Sequence, residues 1–167
     1  RLTAESDDIR TALTQLVGDH LWQQGQMQKP VLAAYLFASP EHAAQVNAII
    51  HPAVRRDFLR WTDAHSRSPV VAIESAILCE SGFHTLVDSI LLVDAPLEVR
   101  LQRAMLRDGA CRQQVMARMA RQDSAQARQL ARFTVTNDGG NDQLLQACLE
   151  SIVTQLQAEA GAMQDNK

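Results

Sequence analysis

Glu74, Glu80 and Asp94 are the first residues whose type and spacing could do chemistry. Two apolar runs rich in β-branched residues, Val70-Val71-Ala72-Ile73 and Ile90-Leu91-Leu92-Val93, each end in an acid, Glu74 and Asp94. Glu80 lies in the connection between them. Runs of this kind suit strands buried on both faces of a parallel sheet. In an open α/β sheet, ligands sit in the crevice beyond the carboxyl ends of the strands, so acids there can meet a substrate. Acids at strand–helix junctions also serve as caps of the next helix. Position alone leaves cap and site equally open.

Arginine makes the second pattern. Between Glu98 and Arg132 eight arginines (100, 103, 107, 112, 118, 121, 128 and 132) face only Glu98, Asp108 and Asp123. The window carries +5 in a chain of net charge −3, which leaves −8 elsewhere, and it holds no lysine. Arginine without lysine favours planar, two-pronged recognition of phosphate or carboxylate. A solvated helical face is the commonplace alternative, at even odds from the charge pattern alone. Nucleic-acid binding is the weaker reading, since the chain as a whole is acidic and the only aromatic, Phe133, sits at the edge.

The elements that must position these groups can be read in order. The 167 residues suit one domain with a real core, and 46% hydrophobic against 21% charged residues is ordinary for a globular protein. No apolar run approaches the ~20 residues of a membrane span, and no signal-peptide pattern is present. Cys79, Cys111 and Cys148 are odd in number and widely spaced. With the scattered histidines they argue against a disulfide framework or a protein-built metal cage, and a cytoplasmic protein is expected.

Ser6-Asp7-Asp8 reads as a helix N-cap with acids in the first turn, and Gly18 as the stop. Residues 23–29 read as a turn. Pro30 can open a helix through Phe37, and Ser39-Pro40-Glu41 starts another. The residue before a proline is pushed out of helical geometry, so His51-Pro52 should break that helix in two. A lone histidine at such a junction is usually structural. After Asp94-Ala95-Pro96 a helix runs over residues 97–108, closed by Gly109, with Arg100, Arg103 and Arg107 on one face. Further helices are expected over residues 112–122 and from a Ser124 cap, then a strand at 133–136, a turn at Asn137-Asp138-Gly139-Gly140, and an amphipathic last helix whose final ten residues fray.

Several blocks carry a family resemblance. They are Pro40-Glu41, His51-Pro52-Ala53-Val54-Arg55, Glu74-Ser75-Ala76-Ile77-Leu78-Cys79-Glu80-Ser81-Gly82-Phe83 and Val93-Asp94-Ala95-Pro96, followed by Arg103, Arg107-Asp108, Arg118, Gln122 and Asn137. In this order and spacing the chain resembles the dephospho-coenzyme A kinases, a branch of the P-loop kinases. The resemblance implies an α/β, three-layer fold with a parallel sheet, a helical substrate-binding region (residues 11–65), core strands and helix (70–106), a lid (107–132), and a last strand and helix (133–157). It implies transfer of the γ-phosphoryl of ATP to the ribose 3′-hydroxyl of dephospho-coenzyme A, with Mg2+. Arg107 would be catalytic. Lys29, His51, Arg55, Glu74, Ile77, Leu78 and Glu80 would bind the acceptor, and Arg103, Arg118 and Asn137 the nucleotide. Arg128 and Arg132 would be structural or solvent-exposed. No nucleic acid or membrane partner is implied, and a monomer is favoured.

The departures are specific. The family opens with a strand, a Gly-x-x-x-x-Gly-Lys-Ser/Thr phosphate loop and a second strand ending in Asp-x-Asp, none of which stands in these 167 residues. The loop cradles phosphates and helps hold the metal. The chain is therefore expected to be the C-terminal part of a longer kinase, inactive alone, with the Mg2+ ligands in the preceding segment. Ala76-Ile77-Leu78 replaces the common Pro-Leu-Leu, Met27-Gln28-Lys29 replaces Leu-Asp-Arg, and Arg132 stands where an aspartate is usual. Lysine at 29 keeps the charge but loses the guanidinium fork. The rival readings are another P-loop kinase, such as one acting on nucleoside monophosphates, and a non-catalytic coenzyme A binding relative.

Overall fold

The computed structural model describes residues 6–120 and 124–164, which fall into two compact units, Arg1–Ser66 and Arg67–Lys167. In the first, helix α1 (Asp7–Val17) starts where the Ser6 hydroxyl accepts from the Ile9 N–H, with Asp7 and Asp8 at the positive end of the helix dipole. Gly18 ends the helix at φ +108°, a backbone angle that favours glycine. The expected turn is a small hairpin, β1 (Trp22–Gln23) antiparallel to β2 (Gln26–Met27). The Trp22 indole donates to Thr14 Oγ1 at 2.8 Å and so ties the hairpin to α1.

Helix α2 (Lys29–Ala38) and helix α3 (Pro40–Ala64) complete this unit, and Ser39 caps α3 by accepting from the His42 N–H at 3.2 Å. Here one expectation fails: α3 runs unbroken through His51-Pro52. Proline removes one rung of the helical ladder, but Val46 and Ala53, on either side of it, are both buried in the unit's core with Ile9, Leu13 and Leu21. Packing on both flanks holds His51 helical against its local preference.

In the second unit, β3 (Leu91–Asp94) pairs in parallel with β4 (Phe133–Thr136), in the register Leu91 with Phe133 through Asp94 with Thr136. Between them come α4 (Leu97–Asp108), α5 (Arg112–Met119) and α6 (Ser124–Leu130). Gly109 closes α4 in the left-handed region, at φ +61°. Helix α7 (Asp142–Gln164) follows and packs on β4. Leu101 of α4 and Val115 of α5 are fully buried.

Five features differ from the sequence reading. Residues 70–73 form no strand: they run without regular structure, with Val71 exposed. An apolar run signals burial, but a strand needs a ladder, and among the described residues nothing pairs with this one. The run at 90–93 does form a strand, shifted by one residue. Leu91 and Val93 are 37% and 57% exposed, so it is covered on one side rather than two. Helix α5 ends at Met119, while residues 121 and 122 lie outside the described residues. Ser124 is the first residue of α6 rather than its cap. Finally, α7 continues through Gln164 where fraying was expected.

Leu13 is fully buried where α1 meets the core of the first unit. Leu13→Ala is expected to lower unfolding stability by about 2–5 kcal/mol, read as a shifted midpoint in denaturant at unchanged slope.

Candidate functional site

In the first unit, Lys29 is the exposed first residue of α2. His51 and Arg55 are four residues apart on α3 and so share one face, the histidine half-buried and the arginine exposed. In the second unit, residues 74–82 form a compact loop. The Ser75 hydroxyl accepts from the Ile77 N–H at 3.2 Å, and the Ser81 hydroxyl donates to the Ile77 carbonyl at 2.6 Å. Gly82, at φ +74°, turns the chain into a short 3-10 segment (Phe83–Leu86). Cys79 and Phe83 are buried and anchor the loop, while Glu74, Ile77 and Glu80 are exposed and Leu78 is half-covered. The loop thus offers two carboxylates and two apolar side chains on an anchored backbone.

Neither Glu74 nor Asp94 caps a helix. No helix follows Glu74. Helix α4 follows Asp94, but its N-cap residue is Pro96. Asp94 instead accepts from its neighbour's N–H, at Ala95, at 2.9 Å and pairs with Arg128 of α6 at 2.9 Å. Beside it, the Asn137 N–H donates to the Asp94 carbonyl at 2.8 Å. Arg103 of α4 donates to both the Asn137 carbonyl, at 2.8 Å, and its Oδ1, at 3.2 Å. The carboxyl ends of both strands are therefore tied together and to two helices.

The second cluster lies where α4 ends. Arg107 donates through Nε and Nη2 to Asp108, at 2.7 and 3.1 Å, and Arg118 of α5 donates to the same carboxylate at 2.6 Å. Arg107, then Arg118, hold the Asp108 carboxyl down to about 2. The structure thus joins Arg107 with Arg118 and Arg103 with Asn137. Among the described residues it makes no contact between Glu74 or Glu80 and these arginines. Sequence reading missed Asp94, Asp108 and Arg128 as partners in these clusters. The only signal was an acid at a strand end and another next to a site arginine.

The seven described arginines of the basic window all have partners. Arg100 donates to the Ala95 carbonyl, Arg112 forms a two-pronged pair with Glu98 at 2.8 and 2.7 Å, and Arg132 forms another with Glu159 of α7 at 2.7 and 2.6 Å. The Arg132 guanidinium also lies over the Phe133 ring. This accounts for arginine at 132: its partner is Glu159, which Arg132 holds down to about 2. Arg128 and Arg132 are accordingly tied into the fold.

Among the described residues no group of three or more His, Cys, Asp or Glu side chains could hold a metal ion. Three protein ligands for a magnesium ion are therefore not gathered among them. Among the same residues no helix is long and apolar enough to cross a membrane.

A parallel strand pair flanked by helices, with arginines gathered at the strand ends and beyond α4, is consistent with the α/β fold of P-loop kinases. The family model for dephospho-CoA kinase matches residues 2–143, and the chain belongs to that family. It is 44% identical over 140 residues to the dephospho-CoA kinase of Bacteroides fragilis, covering 83% of this chain and 68% of that protein. It is 43% identical over 126 residues to that of Porphyromonas gingivalis, covering 75% and 62%. The chain thus spans about two thirds of the length of these relatives. A crystal structure from Thermus thermophilus matches with a TM-score of 0.71 at 31% identity, over 88% of this chain and 76% of that one. The family is one of phosphotransferases, and the nucleoside monophosphate and non-catalytic readings are not favoured.

Stability linked to Asp108 follows the depressed-acid rule. A carboxyl held below its ordinary value of 3.8 contributes fully above that value and loses its contribution as the pH falls toward about 2. A carboxyl-carbon NMR titration is expected to find the Asp108 midpoint near 2. Arg107→Ala should return it toward the ordinary range, by more than Arg118→Ala does.

Proposed function

We propose that the protein transfers the γ-phosphoryl group of ATP to the ribose 3′-hydroxyl of dephospho-coenzyme A, the last step of coenzyme A biosynthesis. The observation that carries the reading is the family match over residues 2–143, which spans every candidate site residue. In the transfer, the 3′-oxygen forms a bond to the γ-phosphorus, the bond to the β-phosphate oxygen breaks, ADP leaves, and the hydroxyl proton is released. Such a reaction asks the protein mainly to position the groups and to neutralise phosphate charge.

Arg107 is the catalytic cation and meets charge that develops on the transferred group. Arg103, Arg118 and Asn137 hold the nucleotide. Lys29, His51 and Arg55 bind phosphate and ribose groups of the acceptor, and Glu74, Ile77, Leu78 and Glu80 line its pocket, the acids toward hydroxyls and the apolar pair toward carbon. The roles suit the side chains: guanidinium forks fit phosphates, and the loop at 74–82 presents polar and apolar groups together. The work is cytoplasmic, in keeping with three cysteines that are odd in number and widely spaced.

The test is an assay of ATP-dependent coenzyme A formation from dephospho-coenzyme A by the intact enzyme. Arg107→Ala should lower kcat by about 10²-fold, the scale of losing one charge-stabilising donor. His51→Ala should raise KM for dephospho-coenzyme A by about tenfold with a smaller change in kcat. Absence of product, or a preference for nucleoside monophosphates as acceptors, would sink the reading.

A further inference from the structure

Charge converges on Asp108, a residue with no assigned substrate contact. Asp108 ends α4, immediately before Gly109, and receives three guanidinium N–H groups. Two come from Arg107, as the Nε and Nη2 fork, and one comes from Arg118, in the last turn of α5. A fork of this kind fits a carboxylate and a phosphate equally well, because both present a pair of oxygens in one plane. The two guanidinium groups are like charges bonded to one carboxylate, and without that carboxylate they would repel each other.

We infer that Asp108 is a positioning residue that stands in for a phosphate group, holding the guanidinium groups of Arg107 and Arg118 side by side until the phosphates of ATP take them over. The inference rests on the assignment of these two arginines to phosphate. Solvent access makes the exchange feasible. The side chains of Arg107 and Arg118 are 75% and 46% exposed, so an incoming phosphate can reach both, and Asp108 at 25% can be rehydrated when they leave. No charge is stranded in a dry interior during the exchange. The two guanidinium groups hold the Asp108 carboxyl down to about 2, so it is an anion at neutral pH.

The experiment uses the intact enzyme with ATP and dephospho-coenzyme A, and compares Asp108→Asn, Asp108→Glu, Arg118→Ala and the Asp108→Asn/Arg118→Ala pair. Asp108→Asn should lower kcat/KM for ATP about tenfold, and Asp108→Glu should recover it to within about threefold of the parent. If Asp108 acts through Arg118, the double variant should fall no more than about twofold below Arg118→Ala alone. Unchanged kcat/KM in Asp108→Asn overturns the inference. So does a fully multiplicative loss in the double variant, or an equal loss in Asp108→Glu accompanied by a lower Tm, since each marks an independent structural tie. A second arm needs no acceptor: the carboxyl-carbon NMR signal of Asp108 should shift as ATP is titrated, and a signal that stays fixed overturns the inference. If ATP moves that signal but dephospho-coenzyme A is not phosphorylated, the clamp stands and the substrate reading falls.

Discussion

The parallel pairing of β3 with β4 is the constraint on which the second unit depends. Its register sets Asp94 beside Thr136, and one further bond, from the Asn137 N–H to the Asp94 carbonyl, carries the pairing beyond the strands. A parallel connection must travel from the end of one strand back to the start of the next. Here that journey contains α4, α5 and α6, and with them six arginines of the basic window, 100, 103, 107, 112, 118 and 128. Arg103 and Arg128 then bond back to the strand ends, so the excursion is fastened where it leaves and where it returns.

Short-range chemistry was legible in the sequence. Ser6 and Ser39 cap their helices and Gly18 and Gly109 stop theirs, because each signal acts within a turn of its own residue. Arg103 is bonded to Asn137 across 34 positions, a contact that no local signal announces. What failed depended on distant partners. His51 stays helical because buried Val46 and Ala53 hold the turns around it. The run at 70–73 looks like a strand by composition, yet a ladder belongs to two segments and cannot be read from one.

The arginines show the same division. Their number and the absence of lysine pointed to forked recognition of oxyanions, and forks are what Arg107, Arg112 and Arg132 make. Which oxyanion each fork holds could not be read, because Glu98 lies 14 positions from Arg112 and Glu159 lies 27 from Arg132. The carboxylates at 94 and 108 were visible as isolated acids. Their part in holding Arg128, Arg107 and Arg118 emerged only when the helices were placed.

The lysine-free window also bears on how such a region can be controlled. Cells commonly silence a basic surface by acetylating lysine, which removes the charge and the donors together. Residues 98–132 offer no amine for that chemistry. Their cationic character is written permanently into the polypeptide, and what varies is the company each guanidinium keeps.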